Sequence, residues 1–320
     1  MTLRTERRKA LLVPQHPSTP SLSRRGLLGL AGAATAGTLL TARPAHAAGA
    51  TALPGRAPDA AGAALTALER EHGARVGAYA RNLATGRTVA HRAGERFPLC
   101  STFKTLAAAA VLRDLDRDGE VLGRLIRYTE ADLVTASDVT RAHLATGMTV
   151  AELCEAAICD SDNTAGNLLL RELGGPAAVT RFCRSVGDHR TRLDRWEPEL
   201  NSAEPWLRRD TTTPYALSRT YAGLVLGDVL APHDRERLTG WLLNCRTSGT
   251  RFRTGLPAGW TIADKTGGGS YGTCNDAGIA WTASGEPVVV TVLTTKPEAT
   301  AVGDHPLVAK AAGVLAAAVG

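Results

Sequence analysis

Aromatic residues are scarce in this 320-residue chain: four Phe, five Trp and five Tyr make up 4% of it. A core with so few rings has to be filled largely by aliphatic side chains. The overall make-up, 44% hydrophobic and 21% charged, is otherwise that of an ordinary globular protein. Long apolar runs are missing too. The best one lies near the N-terminus and falls short of the roughly 20 apolar residues a membrane-spanning helix needs, which argues against an anchor. There is no internal repeat. The cysteines (Cys100, Cys154, Cys159, Cys183, Cys245, Cys274) are scattered, in neither zinc-ligand spacing nor the dense framework of a small stapled scaffold. No metal and no other cofactor is expected, and whether any of these thiols pair is left open.

Beyond the N-terminal 47 residues, a surplus of positive charge is absent as well. The whole chain carries +6 from 37 basic and 31 acidic residues. The first 47 residues hold seven of the bases (Arg4, Arg7, Arg8, Lys9, Arg24, Arg25, Arg43) and one acid, Glu6. Thirty-seven less seven leaves 30, and 31 less one leaves 30, so the remainder is neutral. That removes the electrostatic case for nucleic acid as a partner. The basic start, Ser23-Arg24-Arg25-Gly26-Leu27-Leu28, a mild Gly- and Thr-containing apolar run and Ala45-His46-Ala47 together resemble a twin-arginine export signal over residues 1–47. An ordinary secretory signal or a disordered basic tail is the alternative. Either signal predicts a secreted protein, periplasmic in a host with an outer membrane, and a monomer is the default.

Patterning then divides the chain. Ala60–His72 reads as a helix and Arg75–Asn82 with Arg87–His91 as a hairpin turning at Thr85-Gly86. An Ala-rich helix follows Ser101, with its strongest run at Thr105–Leu115 and a stop at Gly119. Further helices are expected over 149–157, 163–173, 176–186 and 214–226. Between them, 191–210 is too long and polar for a simple connection and is a candidate functional loop. Strands return at 261–266, 276–282 and 288–294 before a last helix, 306–319. The expected fold is α/β (α+β): a discontinuous domain (48–98 and 249–320), its antiparallel sheet flanked by helices, with an all-α domain (99–248) inserted between its strands. The cleft should lie where the two parts meet.

Three short motifs carry chemistry. Ser101-Thr102-Phe103-Lys104 sets a hydroxyl and an amine three residues apart at a helix start, hence on one face. A weak nucleophile needs such a neighbouring base. Ser161-Asp162-Asn163 opens a later helix and by itself reads as a capping cluster. Lys265-Thr266-Gly267 ends a strand and runs into Gly268-Gly269-Ser270. Each is common alone. In this order they resemble the serine β-lactamase and penicillin-binding protein superfamily. A fourth element, Arg195-Trp196-Glu197-Pro198-Glu199-Leu200-Asn201, resembles the Ω-loop of class A β-lactamases, and the likeness runs from about Ala60 to Gly320.

That resemblance, to actinobacterial-type relatives, implies an enzyme that hydrolyses penicillins and some cephalosporins through an acyl-enzyme and confers resistance. Ser101 is the implied nucleophile, with Lys104, or Glu197 through a water, as acylation base. The backbone N–H groups of Ser101 and Gly268 form the implied oxyanion hole, and Ser161 relays a proton to the ring nitrogen. Glu197 with Asn201 drives deacylation. Asn163, Lys265, Thr266 and Gly267 bind substrate, and an arginine assists its carboxylate. Arg251 is preferred over Arg253, by register counted back from Pro257. Arg195 and Asp210 pair across the ends of the Ω-loop, and the Glu197–Pro198 bond is cis in relatives. The chain departs from the family pattern at Ala136, where relatives often carry a cleft-rim aromatic, and at Cys274, where many place the carboxylate-binding arginine. Gly269 and Ala108 stand where family disulfide partners of Cys100 and Cys154 occur, so neither familiar bridge is available and carbapenem hydrolysis is not expected. The rivals are a DD-peptidase or a β-lactam sensor. Glu197 argues against the first, and the lack of a later apolar span against the second.

Overall fold

The computed structural model of the chain describes residues 57–320. The export signal expected over 1–47 lies outside the described residues. Among the described residues no helix is long and apolar enough to cross a membrane.

Helix α1 (Ala57–His72) leads into strands β1 (Arg75–Asn82) and β2 (Thr88–His91). The sheet is completed by residues near the other end of the chain: β3 (Thr261–Gly269), β4 (Thr273–Trp281) and β5 (Pro287–Thr295). The order across it is β2-β1-β5-β4-β3, with every neighbour antiparallel. The Val-rich strand β5 sits at its centre and pairs with β1 from Arg75↔Thr295 to Asn82↔Val288. Residues Val288 to Thr295 of β5 are all buried, because helices cover both faces.

On one face α1 and the C-terminal helix α10 (His305–Val319) enclose a core of Leu65, Val76, Val290, Val292, Leu307 and Leu315. On the other lies the helical part, built around α2 (Phe103–Ala110), whose eight residues are all buried. A helix buried on every side belongs in the middle of a core. Around it stand α3 (Asp138–Ala142), α4 (Val150–Glu155), α5 (Asn163–Glu172), α6 (Ala177–Ser185), α7 (Pro214–Val225) and α8 (Pro232–Leu243). A short α9 (Phe252–Gly255) leads back to the sheet. α7 lies directly on the sheet, with Ser218 Oγ bonded to Thr291 Oγ1 at 2.8 Å. The core is mostly Ala, Leu and Val, as the shortage of rings requires.

Three local expectations need correction. The helix after Ser101 does not continue to Gly119: it widens to a π-turn over Val111–Leu115 and stops at Asp116. The Asp116 carboxylate accepts from the backbone N–H groups of Gly119, Val121 and Leu122, an alternative to helical bonding that ends the run. Helix α8 falls in a stretch to which the patterning assigned no element. Strand β3 continues past Thr266 through three glycines to Gly269. Those glycines serve close packing: a Cβ at Gly267 would come within 3.2 Å of Cys100 Cβ and Leu99 O.

Candidate active site

The segment carrying Ser101 is fixed from both sides. Phe97–Pro98 pairs with Thr211–Thr212 at the end of the Ω-loop, and Leu99 N donates to Asp210 O at 2.7 Å. On the far side Asn275 Nδ2, from β4, donates to Pro98 O at 2.8 Å. A 3₁₀ turn, Cys100–Thr102, then feeds α2 and brings Ser101 and Lys104 onto one face. Lys104 Nζ lies 2.9 Å from Ser101 Oγ, 2.7 Å from Ser161 O and 2.6 Å from Asn163 Oδ1. It is also 3.1 Å from Glu197 Oε1, both side chains being fully buried. Glu197 Oε1 is in turn 3.3 Å from Ser101 Oγ. Burial pushes the Lys104 ammonium down from its ordinary value, and the Glu197 carboxylate opposes that shift.

Ser161 is delivered by a second π-turn, Ala156–Asp160, which ends with Ser161 in the left-handed region at φ 62°. Asp162 caps α5 by accepting from Ala165 N at 2.8 Å and also accepts from Thr140 N at 2.9 Å. It is therefore a brace, and its two neighbours face the cleft. Asn163 Nδ2 donates to Thr135 O at 2.9 Å, which fixes Oδ1 toward Lys104.

Glu197 is held as firmly as Ser101. Asn167, one turn along α5 from Asn163, brackets its backbone: Glu197 N donates to Asn167 Oδ1 at 2.9 Å, and Asn167 Nδ2 to Glu197 O at 2.8 Å. Asn201 Nδ2 donates to Glu197 Oε2. The Glu197–Pro198 peptide is cis. At the neck of the loop Arg195 Nε meets Asp210 Oδ2 at 2.6 Å, and Asp210 Oδ1 accepts from the backbone N–H groups of Asp194 and Arg195 at 2.7 and 3.0 Å.

The third wall is β3. Lys265 Nζ, fully buried, lies 3.0 Å from Ser161 Oγ and 3.0 Å from Thr266 O. Burial pushes it down to about 8, and the charges of Lys104 and Arg251 add to the shift. Thr266 Oγ1 is hydrogen-bonded to Thr247 Oγ1. Gly267 backs onto Cys100, and a Cβ at Gly268 would meet nothing nearer than Thr273 O at 3.7 Å, so that position presents an open backbone. Arg251 turns toward the strand: Nη1 donates to Gly267 O at 2.9 Å and to Asn275 O at 2.8 Å, while buried Nε has no partner. Arg253 points away, to Asp264 Oδ1 at 3.1 Å. Asp264 and Asp276 form a buried carboxyl pair behind β3. Burial and the Asp264 charge hold Asp276 well above its ordinary value.

Ser101, Lys104, Ser161, Asn163, Glu197, Asn201 and Lys265 thus join in one hydrogen-bonded group, while Asp162, Arg195 and Asp210 brace the elements that carry them. The sequence reading missed Asn167, Thr247 and Asn275, which touch the motif residues from distant positions. For Asn167 a signal existed: it lies four residues after Asn163, on the same helix face. All six cysteines are buried and unpaired.

Comparison with known proteins agrees with this geometry. The model of the β-lactamase enzyme family matches residues 60–319. A Streptomyces lavendulae β-lactamase is 66% identical over 260 residues, spanning 80% of this chain and 85% of that protein. The solved β-lactamase from Streptomyces albus G shares 60% identity at a TM-score of 0.80, covering 82% of this chain and all of that one. A reconstructed class A β-lactamase, the last common ancestor of Gram-negative bacteria, shares 50% at 0.77, over 81% of this chain and 99% of its own. This chain belongs to the class A β-lactamases. As a β-lactamase it is a hydrolase of β-lactam antibiotics and a resistance determinant, and the actinobacterial relatives agree with the type read from its motifs. In this class A enzyme the helices supply two hydroxyls and an amine to the cleft, the Ω-loop a carboxylate, and β3 a second amine.

Proposed function

We propose that the enzyme opens penicillins and some cephalosporins through an acyl-enzyme on Ser101, which Glu197 then clears. One observation carries the reading: a carboxylate oxygen of Glu197 stands 3.3 Å from Ser101 Oγ, inside the same hydrogen-bonded group as Lys104. From there it can orient and deprotonate a water for the carbonyl that Ser101 carries. DD-peptidases and penicillin-binding proteins lack this glutamate and stay acylated by β-lactams for long periods.

In the first half-reaction Ser101 Oγ attacks the lactam carbonyl. Ser161 O and Asn163 Oδ1 are pure acceptors and occupy two N–H groups of Lys104. Its remaining position faces Ser101 and can receive the serine proton as a neutral amine. Glu197, through a water, is the alternative acceptor of the same proton. The N–H groups of Ser101 and Gly268 stabilise the oxyanion. Ser161, bonded to both lysines through its carbonyl and its hydroxyl, passes a proton to the departing nitrogen. Lys265, Thr266, Gly267 and Arg251 bind the substrate carboxylate, and Asn163 its side-chain amide. In the second half-reaction Glu197 and Asn201 activate the hydrolytic water, while the Arg195–Asp210 pair keeps the loop in place.

The test mixes purified protein with benzylpenicillin and with a chromogenic cephalosporin, comparing the native chain with Glu197→Ala. Rapid native turnover, with an adduct on Ser101 accumulating in the variant by mass spectrometry, is the expected result. A native chain that acylates once and stalls would point to a penicillin-binding protein instead. The leader is proposed to export the enzyme by the twin-arginine route, to act as a secreted monomer with no membrane anchor. Replacing Arg24 and Arg25 by Lys should then retain activity inside the cell, and unchanged secretion would return the leader to the ordinary route.

A further inference from the structure

Charge balances over residues 48–320, but it is not evenly spread. The two ends of the Ω-loop enter the fold beside the segment before Phe97 and the first turns of α7. Arg96, Arg184, Arg190, Arg192, Arg208 and Arg219 gather there. Burial, and the charges of Arg208, Arg190, Arg192 and Arg184, hold the Arg96 guanidinium below its ordinary value.

The acids nearby are already engaged. Asp194 pairs with Arg192, Asp210 with Arg195, and Glu95 with Arg75 and Arg92. Asp188 accepts from Arg190 N and Thr191 N, and from the hydroxyls of Thr191 and Thr220. Among the described residues no carboxylate forms an ion pair with Arg96, Arg184, Arg190, Arg208 or Arg219.

These arginines stand on a stiff frame. Arg96 Nη1 donates to Arg190 O at 2.8 Å and to Thr211 Oγ1 at 3.0 Å. Arg184 Nη1 donates to the carbonyls of Asp188 and Thr191, and the Asp188 bond to Thr220 pins the same turn to α7. Between turn and helix lies a cavity of about 290 Å³, lined by Gly94, His189, Arg190, Tyr215, Arg219 and Thr220 among others. No residue of the catalytic group lines it. Arg190, Arg208 and Arg219 are exposed.

Like charges crowded on a rigid surface repel, and no carboxylate of the protein offsets that here. An anion from outside would. A guanidinium fork matches phosphate oxygens two at a time. One phosphate fills one or two forks, so five unpaired arginines from separate segments call for several phosphates on one chain. Single-stranded nucleic acid also wants rings on which to stack its bases. The ring at this site, Tyr215, already has Tyr79 edge-on at 5.3 Å and Arg219 6.0 Å from its centroid.

We propose that this face is a binding site for a polymer of base-free phosphodiesters, of which a glycerol-phosphate chain is the simplest. Arg190, Arg208 and Arg219 grip it, with Arg96 and Arg184 behind them. The site holds the enzyme to a polyanion without entering its reaction.

The test follows the fluorescence anisotropy of a labelled poly(glycerol phosphate) chain with the full-length protein, native and with Arg190→Ser, Arg208→Ser, Arg219→Ser and all three together. The basic leader is the same in each, so only the differences are read. Each single change should weaken binding about fivefold, the scale of one basic residue at an anionic surface, and the triple variant about 100-fold. The slope of log Kd against log salt should fall by about 0.7 for each arginine removed. Arg141→Ser, an equal loss of charge on α3, should leave binding nearly unchanged. Benzylpenicillin turnover should stay native throughout, which reports an intact fold. A triple variant that binds like the native chain, or an equal loss in Arg141→Ser, overturns the site. Displacement by inorganic phosphate at the same phosphate concentration would reduce it to a single-anion site and overturn the polymer. Tighter binding of single-stranded DNA with as many phosphates would give the face to nucleic acid instead.

Discussion

Lys104 and Lys265 are the same side chain, equally buried, and both bond Ser161, one through its carbonyl and the other through its hydroxyl. Their surroundings differ in one respect. Lys104 has a carboxylate 3.1 Å away, whereas the hydrogen bonds of Lys265 go to two neutral oxygens. With a carboxylate beside it, Lys104 can exchange a proton with Glu197 with no net charge created in the core. Lys265 is a cation whose counter-ion has to arrive from outside, and the carboxylate of a β-lactam is the natural candidate. On the proposed mechanism, one lysine is arranged for proton transfer and the other for binding.

Four experiments can break or sharpen that contrast. The largest effect is expected from Lys104→Met, which should slow acylation by about 10²–10⁴-fold with KM little changed, as for loss of a general base; rapid-quench kinetics would show it. Lys265→Ala should do the reverse. KM should rise about 10- to 100-fold, the worth of a charge-assisted hydrogen bond, with a smaller change in kcat. A third, milder effect comes from pH. Lys265 is cationic below its value of about 8 and neutral above it, so KM should be flat on the acid side and climb as pH passes 8. Lys265→Arg, which stays charged, should flatten the climb, and a flat native profile would remove the contrast. The smallest effect tests the carboxyl pair behind β3. Asp276 keeps its proton in the folded state where the unfolded chain has released it. Its stabilising contribution is therefore complete below its ordinary value of 3.8 and fades as pH rises toward the folded one. Asp276→Asn, which mimics the protonated acid, should flatten that part of the stability curve, as read by denaturant unfolding at pH 4 and pH 7.

The parts of the site legible in the sequence are those whose geometry is local. Ser101 and Lys104 lie on one face because they are three residues apart at a helix start, and Ser161-Asp162-Asn163 marked the start of α5 because all three are capping residues. The Ω-loop was visible as a polar stretch too long to be a connection. What stayed hidden depends on pairs far apart in the chain. Asn275 steadies the segment before Ser101 from almost two hundred residues away, and no local pattern marks it. Gly267 and Gly269 looked like a turn because glycine breaks strands in general, yet here the strand needs them to pass Cys100 and Asn201. The polar start of α8 concealed a helix whose apolar residues, Leu238, Trp241 and Leu242, come late. Between Arg251 and Arg253 the register favoured the first, and only the position of Asp264 shows why the second is already engaged.

The sheet order has a consequence for how the molecule comes into being. Strand β1 has two partners: β2, which follows it at once, and β5, which the ribosome makes near the end. A two-stranded hairpin is marginal in water, so the first strands must wait, unsatisfied on one side, until almost the whole chain has emerged. Ser101 and the strand that faces it likewise come from opposite ends of synthesis. A chain truncated before Pro287 lacks the central strand of its sheet, and catalytic competence should therefore arrive late and all at once.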